Sequence, residues 1–387
     1  MSTMMVDLSD PQSSAEFAAV DTNRLGEIAT RHQRLAEFMR QEGFAAILLQ
    51  QPSNFTWFTV GGNNERGGAT GATGSLFITP DARVVACSNV DTAQFFESEV
   101  SNMGFQLKER PWTEPRSVML SDLCRGRKVA CDTVFPGTTD ISLRMPGLRL
   151  PLSDYDQKLM REAAKRLTHA IEATARAMVK GRTEAEIAGE VSHRLFKHGV
   201  HPERIQVLGD GRGARFRRWN FNDCPVQGYC TISAVGRYCG MYVGAARTVA
   251  LGEPPEALLK AFKPAALIEA TGIYFSQPEW ELFEVWNRVH RLYEKTGFES
   301  EWRLADQAEI VEYEFGAVPV MPNSEFRLMQ GTPVFWHPSV GPVLMGDTVL
   351  VGAQGTEVLT VSSDWPVVPV LVKGTTVGVP AILVINS

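Results

Sequence analysis

The sequence predicts an α+β protein of two domains, and three observations lead to this prediction. The chain has 387 residues, whereas a single domain usually has about 100–200. Helical and strand patterns alternate up to residue 150, as is typical of an α/β domain. Beyond Pro151, long amphipathic helices and strand-rich stretches follow one another without that alternation. We therefore place a domain boundary near residue 152.

The first domain is predicted over residues 21–152, after a polar lead-in, residues 1–20, that we expect to be flexible. Apolar residues recur at helical spacing from Thr22 to Gln41, and Gly43 ends this helix. Short runs of apolar, β-branched and aromatic residues then predict strands. These runs are residues 44–49, 55–60, 75–78, 83–87 and 129–132.

The second domain is predicted over residues 153–387. Three capping signatures, each a Ser or Thr three residues before an acidic residue, predict where its helices begin. These helices are predicted over residues 153–178, 183–198 and 276–292. Strand patterns with many turns fill residues 204–251, and residues 308–387 are rich in strand-forming residues. This mixture indicates an α+β domain.

The composition excludes several classes of protein. With 38 basic and 44 acidic residues, the net charge is −6, so no basic surplus is available to neutralise a nucleic-acid backbone. Prolines, glycines and Lys373 interrupt the apolar tail from Val367 to Ile385, which is too short for a membrane span. We see no signal peptide, and the six cysteines form no Cys-x-x-Cys pair. We therefore expect a cytoplasmic protein with reduced thiols.

Three stretches carry a resemblance to a known family. They are RLAEFMRQEGFAAILLQQPSNFTWFTVGG at 34–62, GRYCGMYVGAARTVAL at 236–251, and MQGTPVFWHPSVGPVLMGDTVLVGAQGTEVLT at 329–360. In these stretches the chain resembles the creatinase, prolidase, aminopeptidase P and methionine aminopeptidase family. The resemblance implies a creatinase-like α/β N-terminal domain followed by a pita-bread C-terminal domain.

The same resemblance bears on metal binding. In the metallopeptidases of that family, two Asp, one His and two Glu bind a pair of divalent metals. The resemblance places these five positions at Ser233, Gly244, Asp306, His337 and Gly346. Glycine has no side-chain donor and serine is a poor ligand, so we expect neither a metal nor a cofactor. If this alignment is wrong, a metallopeptidase is the alternative hypothesis.

His337 is the candidate general acid or base. It replaces a metal-binding Glu that faces the family's cavity, and an imidazole there can transfer protons near neutral pH. The alternative is a hydrogen-bonded core histidine. Glu312, Tyr313 and Glu314 lie where the family has a substrate-facing His-Glu pair. On a strand the two glutamates would share one face, and the alternative for them is a solvated strand face.

Other residues are candidates for substrate binding. Arg217, Arg218 and Trp219 belong to an arginine-rich loop that could hold an anion and stack a planar group; the alternative is a solvated loop or a dimer contact. Ser233 and Asp306 are assigned to the cavity by the resemblance. Arg247 matches a family arginine that is normally structural, so its role as a substrate ligand is a weaker alternative.

Arg66 lies in a loop, residues 61–68, that looks like the element that reaches over the partner's site in creatinase-like dimers. It could hold a substrate carboxylate in trans, and an ordinary surface arginine is the competing interpretation. We accordingly expect a homodimer.

The sequence is consistent with two functions. The first is a metal-independent hydrolase or lyase that acts on a C–N bond or acidic proton of a small carboxylate-bearing or aromatic metabolite. The resemblance to creatinase implies that this fold can cleave a C–N bond without metal. In creatinase a catalytic histidine lies in the loop before the first long strand, but the matching loop here, residues 217–225, contains no histidine. The second is a catalytically silent binding module that has lost its peptidase chemistry.

Overall fold

The computed structural model describes residues 21–66 and 71–386. The predicted lead-in, residues 1–20, lies outside the described residues. The chain divides into two compact units, Met1–Leu148 and Arg149–Ser387. No helix among the described residues has the length and apolar character needed to cross a membrane.

The first unit is built on a six-stranded sheet. Its strands are β1 (Ala46–Leu49), β2 (Gly74–Ile78), β3 (Arg83–Ser88), β4 (Gln106–Arg110), β5 (Val129–Cys131) and β6 (Thr139–Asp140). They lie in the order β4-β3-β2-β1-β5-β6. Strand β2 is antiparallel to both neighbours, whereas β3 and β4 are parallel, as are β1, β5 and β6. All strands except β2 therefore end at the same edge of the sheet.

Helices cover this sheet, together with a π-helical turn at Gln94–Glu99. They are α1 (Thr22–Glu42), α2 (Pro52–Thr59), α3 (Arg116–Cys124) and α4 (Met145–Arg149). Gly43 adopts a left-handed conformation at the end of α1, as predicted. Met119 and Leu120 of α3 pack on the apolar side chains of β1, β2 and β5. The described part of this unit is thus a helix-covered, mostly parallel sheet.

The prediction of a strand over residues 55–60 is wrong, because residues 55–59 belong to helix α2 and Val60 caps its end in a left-handed conformation. Pro52 occupies the first turn, where its missing N–H costs nothing. The carboxylate of Asp132 accepts hydrogen bonds from the backbone N–H groups of Gln50 and Gln51, at 2.8 and 2.9 Å, and from Asn54 Nδ2 at 2.9 Å. Asp132, the residue after β5, therefore caps this helix. The helix forms although the local sequence has a high β propensity.

The second unit contains a nine-stranded sheet and two hairpins. Its strands are β7 (His201–Gly209), β8 (Tyr229–Tyr238), β9 (Met241–Leu251), β10 (Ala308–Ile310), β11 (Val318–Pro319), β12 (Pro333–Trp336), β13 (Ser339–Val340), β14 (Val343–Leu344), β15 (Asp347–Gly352), β16 (Gly355–Val358), β17 (Val367–Val372), β18 (Thr375–Pro380) and β19 (Leu383–Ile385). The main path is β11-β10-β12-β15-β9-β8-β7. Strand β16 pairs with β15, and β19 runs parallel to β9.

Two of the three predicted helix starts in the second unit are confirmed. Its helices are α5 (Asp154–Arg176), α6 (Glu184–Lys197), α7 (Glu256–Phe275) and α8 (Leu282–Lys295). Ser153 accepts a hydrogen bond from the Asp156 backbone, and Thr183 forms a complete capping box with Glu186. Helix α5 packs on β8 and β9, and α6 packs on β7. The predicted helix boundaries thus agree with the helices that lie against the central strands.

The third predicted start is wrong. Ser276 follows the last residue of α7, and its hydroxyl donates to the Gly272 carbonyl at 2.8 Å and accepts from Trp336 Nε1 at 3.0 Å. The side chain of Glu281 caps α8 instead. Helix α7 itself was not predicted. It is apolar around most of its circumference and contains Pro264, so it lacks both the polar face and the uninterrupted pattern that identify a surface helix.

The segment after Thr360 extends the second unit. Strands β17 and β18 form a hairpin that contacts α7, and β19 adds to the edge of β9. Trp365 is buried, and its indole N–H donates to the Ala381 carbonyl at 3.0 Å. This C-terminal extension is therefore part of the second unit's packed structure.

Candidate active site

Four neighbouring strands bring together most of the positions that the resemblance assigns to metal ligands. On β8 and β9, Ser233 lies opposite Ala246 and Val235 lies opposite Gly244. Gly346 precedes β15, whose first residue pairs with Ala245 of β9. His337 follows β12, which lies between β10 and β15. The predicted positions thus converge on the middle of the nine-stranded sheet.

The space next to Gly244 is filled by the ring of Phe335. A Cβ at position 244 would lie 2.5–2.7 Å from three ring carbons of Phe335, well inside van der Waals contact. Phe335 is fully buried in an apolar cluster with Val235 and Val311. The backbone at Gly244 therefore has no room for an aspartate side chain in this packing arrangement.

Gly346 is similarly confined. A Cβ at this position would lie 2.8 Å from Ala246 Cβ and 2.9 Å from the Ala246 backbone nitrogen. The Ala246 N–H donates to the Gly346 carbonyl at 2.9 Å, so the two backbones are held at close range. A glutamate at 346 would require the two strands to separate.

His337 lies beside a carboxylate. In the β10–β12 register Glu309 is opposite Phe335, and His337 is two residues farther along, so these side chains lie on the same face of the sheet. Nε2 of His337 is 3.3 Å from Oε1 of Glu309, and the side chains are only 6% and 8% exposed. The His337 backbone N–H donates to the Gln307 carbonyl at 2.8 Å. We call this pair the His337–Glu309 dyad.

The surroundings of the dyad favour a neutral imidazole. Burial lowers the pKa of His337, Glu309 opposes that effect, and the positive charges of Arg204 and Arg218 lower the pKa further. Burial also lowers the pKa of Arg204, although Glu309 partly compensates. An imidazole that is neutral near pH 7 can accept a proton, which is the first requirement for a general base.

Asp306 completes a cluster with the dyad. Ligand-type atoms of Asp306, Glu309 and His337 all lie within 4.8 Å of one another. Arg218 forms an ion pair with Asp306, and half of the Arg218 side chain is exposed. The cluster therefore combines one imidazole and two carboxylates with arginine charges on its border.

Known proteins resemble this chain in sequence over part of its length and in structure over most of it. Residues 158–318 match the sequence profile of metallopeptidase family M24. No curated protein sequence matches the chain. Among solved structures, an Xaa-Pro dipeptidase from Bacillus anthracis superposes with a TM-score of 0.74 at 17% identity, over 92% of this chain and 100% of that one.

Two further structures agree. The prolidase from Pyrococcus horikoshii OT3 has a TM-score of 0.75 at 16% identity, over 86% of this chain and 99% of that one. Aminopeptidase P from E. coli has a TM-score of 0.70 at 16% identity, over 87% of this chain and 94% of that one. The chain has the pita-bread fold of the creatinase and prolidase superfamily. The predicted α+β class and the predicted resemblance are both confirmed.

The residues at the positions that the resemblance assigns to metal ligands do not fit the metal pair of the family's metallopeptidases. The fit fails on packing, because Phe335 and Ala246 occupy the space in which side chains at 244 and 346 would lie. Ser233 is buried and supplies only a hydroxyl. Asp306, Glu309 and His337 could contribute three donor atoms, but Arg218 already pairs with one of these carboxylates.

The structure does not place the predicted Glu312, Tyr313 and Glu314 against His337. Both glutamates bind Arg149: its Nη2 lies 2.5 Å from Glu312 Oε1 and 2.6 Å from Glu314 Oε2. Burial raises the pKa of Glu312, and Arg149 opposes this. The Tyr313 hydroxyl donates to Asp156 Oδ1 at 2.7 Å. The expected strand face is absent, because residues 312–314 form a bend past the end of β10. Their side chains join segments of the second unit instead.

Arg247 has the structural role that the family resemblance favours. Its guanidinium lies 3.1 Å from Glu172 Oε1 and 3.0 Å from Asp347 Oδ1, and it also donates to the Thr360 carbonyl at 2.5 Å. The side chain is buried, and five acceptors surround it. Its assignment as a substrate ligand has no support in these contacts.

One part of the arginine-rich loop is held by buried contacts, and the other part is exposed. The Arg217 side chain is buried and paired with Glu301. Gln206 Nε2 donates to the carbonyls of Arg217 and Trp219 at 3.2 and 3.1 Å. Arg218 and Trp219 are about half exposed. Arg218 is therefore the predicted residue that the structure connects both to the dyad and to solvent.

Arg66 belongs to the first unit and forms an ion pair with Asp91. Its suggested action over a partner's site stays a prediction.

Glu309 and Arg204 were missed by sequence reasoning. Glu309 is the one charged residue in the strand Ala308–Ile310, between apolar neighbours. A charge in a short apolar strand is a signal of a buried polar role. Its partner could not be identified from the sequence, because the β10–β12 register that joins it to His337 depends on the intervening loop.

Proposed function

We propose that the second unit is a hydrolase that cleaves a C–N bond of a small anionic metabolite without a metal, with His337 as general acid and base. The proposal is carried by the 3.3 Å approach of His337 Nε2 to Glu309. A neutral imidazole beside a carboxylate is the arrangement that acid–base catalysis uses. The match to a hydrolase family and the likeness to peptidase structures support hydrolysis as the reaction class.

The proton path follows from the dyad. With its hydrogen on Nε2, directed at Glu309, His337 carries a lone pair on Nδ1. Nδ1 takes a proton from water as the water oxygen adds to the substrate carbon. The C–N bond then breaks, and the same proton passes to the leaving nitrogen. Glu309 holds the ring and stabilises the imidazolium formed between the two steps.

Arg218 is the residue we assign to the anionic end of the substrate. Its guanidinium pairs with Asp306 but is half exposed, so a substrate carboxylate can bind beside Asp306. Trp219 follows it in the chain and offers an exposed ring for a planar group. If the same dyad abstracts an acidic carbon-bound proton instead, the reaction is an elimination, which product analysis distinguishes from hydrolysis.

The first experiment measures metal content and turnover in the same preparation. The full chain is expressed with added manganese, cobalt, iron and zinc, dialysed against metal-free buffer, analysed by plasma mass spectrometry, and assayed before and after treatment with EDTA. Xaa-Pro dipeptides, guanidino acids and N-acyl aromatic amino acids serve as substrates. We expect turnover that persists after chelation. One or two metal equivalents retained through dialysis, with activity lost on chelation and restored by metal, would return the metallopeptidase hypothesis.

Variants then test the dyad. His337→Gln and Glu309→Gln should each lower kcat by about 10²–10⁴-fold, while the far-ultraviolet circular dichroism stays unchanged. His201→Gln is the matched control, because His201 also lies 3.3 Å from a glutamate, Glu203, but at the exposed surface. Turnover that survives both dyad substitutions would contradict the proposed roles.

A binding module is the second candidate, and a separate observation favours it. The dyad is almost completely enclosed, whereas Phe216, Trp219 and Phe221 are all exposed in one loop. Clustered exposed aromatic residues are typical of a recognition surface. Under this alternative, none of the substrates turns over, and a protein partner is captured by the wild type but not by Trp219→Ala.

A further inference from the structure

A cavity of about 930 Å³ lies in the first unit, separate from the candidate active site. It opens at the edge where the parallel strands of the six-stranded sheet end. Gln50 follows β1, Ser88 ends β3, Trp112 follows β4, and Phe135 follows β5. In α/β sheets this edge is where ligands bind, because loops from several strands meet there. Its position and size are those of a small-molecule site.

Four charged side chains, two basic and two acidic, line this cavity. Arg66 pairs with Asp91, and Asp91 also accepts from the Ser88 hydroxyl at 2.7 Å. Glu114 lies 3.9 Å from Arg110. Three of these four side chains therefore have a partner of opposite charge, and Arg116 does not have one within the described part of the chain.

Arg116 has no carboxylate partner among the described residues. Its guanidinium donates to the carbonyl of Ala72, and it lines the cavity. Burial lowers the pKa of Arg116, with no carboxylate raising it. A half-buried cation without a counter-charge is costly, so a bound anion would offset the cost. Arg116 is also the first residue of α3, where the helix dipole adds further positive potential.

The exposed surface of the cavity wall is mainly apolar, although polar side chains such as Gln50, Thr73 and Gln94 also line it. Val90, Trp112, Leu120 and Phe135 line the cavity, and Trp112 is 67% exposed. An exposed indole ring is a surface on which a planar group stacks. An arginine without a carboxylate partner, next to apolar and aromatic side chains, fits a ligand with one negative charge and an apolar body.

We propose that this cavity binds a small carboxylic acid with an apolar, planar body, whose carboxylate pairs with Arg116 and whose body lies against Trp112. The site is independent of the His337–Glu309 dyad. Inorganic phosphate shares the oxyanion chemistry but carries up to two charges near neutral pH, so the experiment includes it as a separate arm.

The test is isothermal titration of the full chain at low salt with three probes: indole-3-acetate, its neutral amide, and inorganic phosphate. We expect the acid to bind at least about tenfold more tightly than the amide, as the loss of one charged hydrogen-bonded contact implies. Binding of the acid should weaken as salt is added. Equal affinity for the acid and the amide, or tighter binding of phosphate, would overturn the proposal.

Three variants locate the site. Arg116→Gln should weaken binding of indole-3-acetate at least about tenfold, and Arg116→Lys should recover part of the affinity. Arg125→Gln is the matched control, since Arg125 follows the other end of α3 and is largely exposed. It should bind like the wild type. Trp112→Ala provides a second test that does not touch a buried group, and it too should weaken binding.

Two results would contradict the assignment. The first is no binding of indole-3-acetate by the folded wild type at millimolar concentration. The second is binding that Arg116→Gln and Trp112→Ala leave intact but Arg218→Gln abolishes, because the ligand would then lie in the second unit.

Discussion

The ring of Phe335 packs so closely against Gly244 that a side chain at position 244 would overlap it. Three ring carbons of Phe335 lie 2.5–2.7 Å from the point where a Cβ of residue 244 would be. The superfamily resemblance puts an acidic metal ligand at this position. Here an aromatic ring on β12 occupies the corresponding space, so the centre of the sheet is held together by apolar packing.

This relationship predicts strong coupling between the two positions. Gly244→Ala should lower the free energy of unfolding by about 1–3 kcal/mol, because it overpacks a rigid site, and Gly244→Asp should cost more. Phe335→Ala opens space, so Gly244→Ala should cost less in that background. Urea unfolding of the double-mutant cycle should give a coupling energy of about 0.5–3 kcal/mol.

Gly26 offers the control for this cycle. It lies within α1, and a Cβ there would meet nothing within 4 Å. Gly26→Ala should therefore stabilise the chain by about 0.5–1 kcal/mol through backbone entropy and helix propensity. Additive costs at positions 244 and 335 would show that the ring does not confine Gly244.

The sequence predicted those parts of the fold whose signals are local. Thr183 with Glu186 is a capping box in four consecutive residues, and the structure forms it as predicted. Helix α2 shows the opposite case, because its cap is the carboxylate of Asp132, about eighty positions away in the sequence. The sequence near residues 52–59 does not reveal this distant cap. The strand was therefore predicted wrongly from the β-forming residues of the segment alone.

The candidate site likewise contains residues that could be identified from the sequence and residues whose contacts depend on distant parts of the chain. His337 was identified through a family alignment, which carries three-dimensional information that spacing alone does not. Arg218 was identified from the composition of its arginine-rich loop. The partner of His337 depends on strand register, and a register shift of one residue would turn Glu309 to the opposite face. Glu312 was chosen for its proximity in sequence to a family motif, whereas burial and Arg149 determine its actual contacts.

The buried Arg149–Glu312 ion pair gives a second prediction. Glu312→Gln should lower the free energy of unfolding by about 3–5 kcal/mol, because Arg149 is left partly uncompensated in a buried site. Replacing both residues, as Arg149→Met with Glu312→Leu, should recover much of that loss. Urea denaturation measures both effects. If Glu312→Gln retained full stability but lost turnover, Glu312 would be a catalytic residue after all.

The lowered pKa of His337 predicts a pH-dependent stability. In the unfolded chain this histidine titrates near pH 6.5, while in the folded chain burial keeps its pKa lower. The unfolded state therefore binds the proton first, and stability is lost as the pH falls below about 6.5 toward the folded pKa. His337→Gln should reduce this loss between pH 7 and 5, measured by urea unfolding at each pH.

His201→Gln is the control for this pH series because His201 is exposed. It should follow the wild type. Identical pH profiles for the wild type and His337→Gln would mean that His337 titrates equally in both states.

Glu269 predicts a pH dependence of the opposite sign. It lies on α7 and is fully buried, and neither carboxylate oxygen has a hydrogen-bond partner among the described residues. Burial raises its pKa well above the ordinary value, and Asp347 adds to the effect while Arg247 opposes it. The folded state holds the proton more tightly, so the stability present below about pH 4.5 is lost as the pH rises toward the folded pKa.

Glu269→Gln removes that ionisation without changing the shape of the side chain. The variant should be more stable than the wild type at pH 8, by about 1–3 kcal/mol if the charged form is the one that lacks partners, and the difference should shrink toward pH 5. Glu256→Gln, at the exposed start of the same helix, should show no such trend. Thermal unfolding across pH 5–8 distinguishes the two variants. If the stability difference between Glu269→Gln and the wild type stayed constant across this range, Glu269 would not change its protonation state on folding.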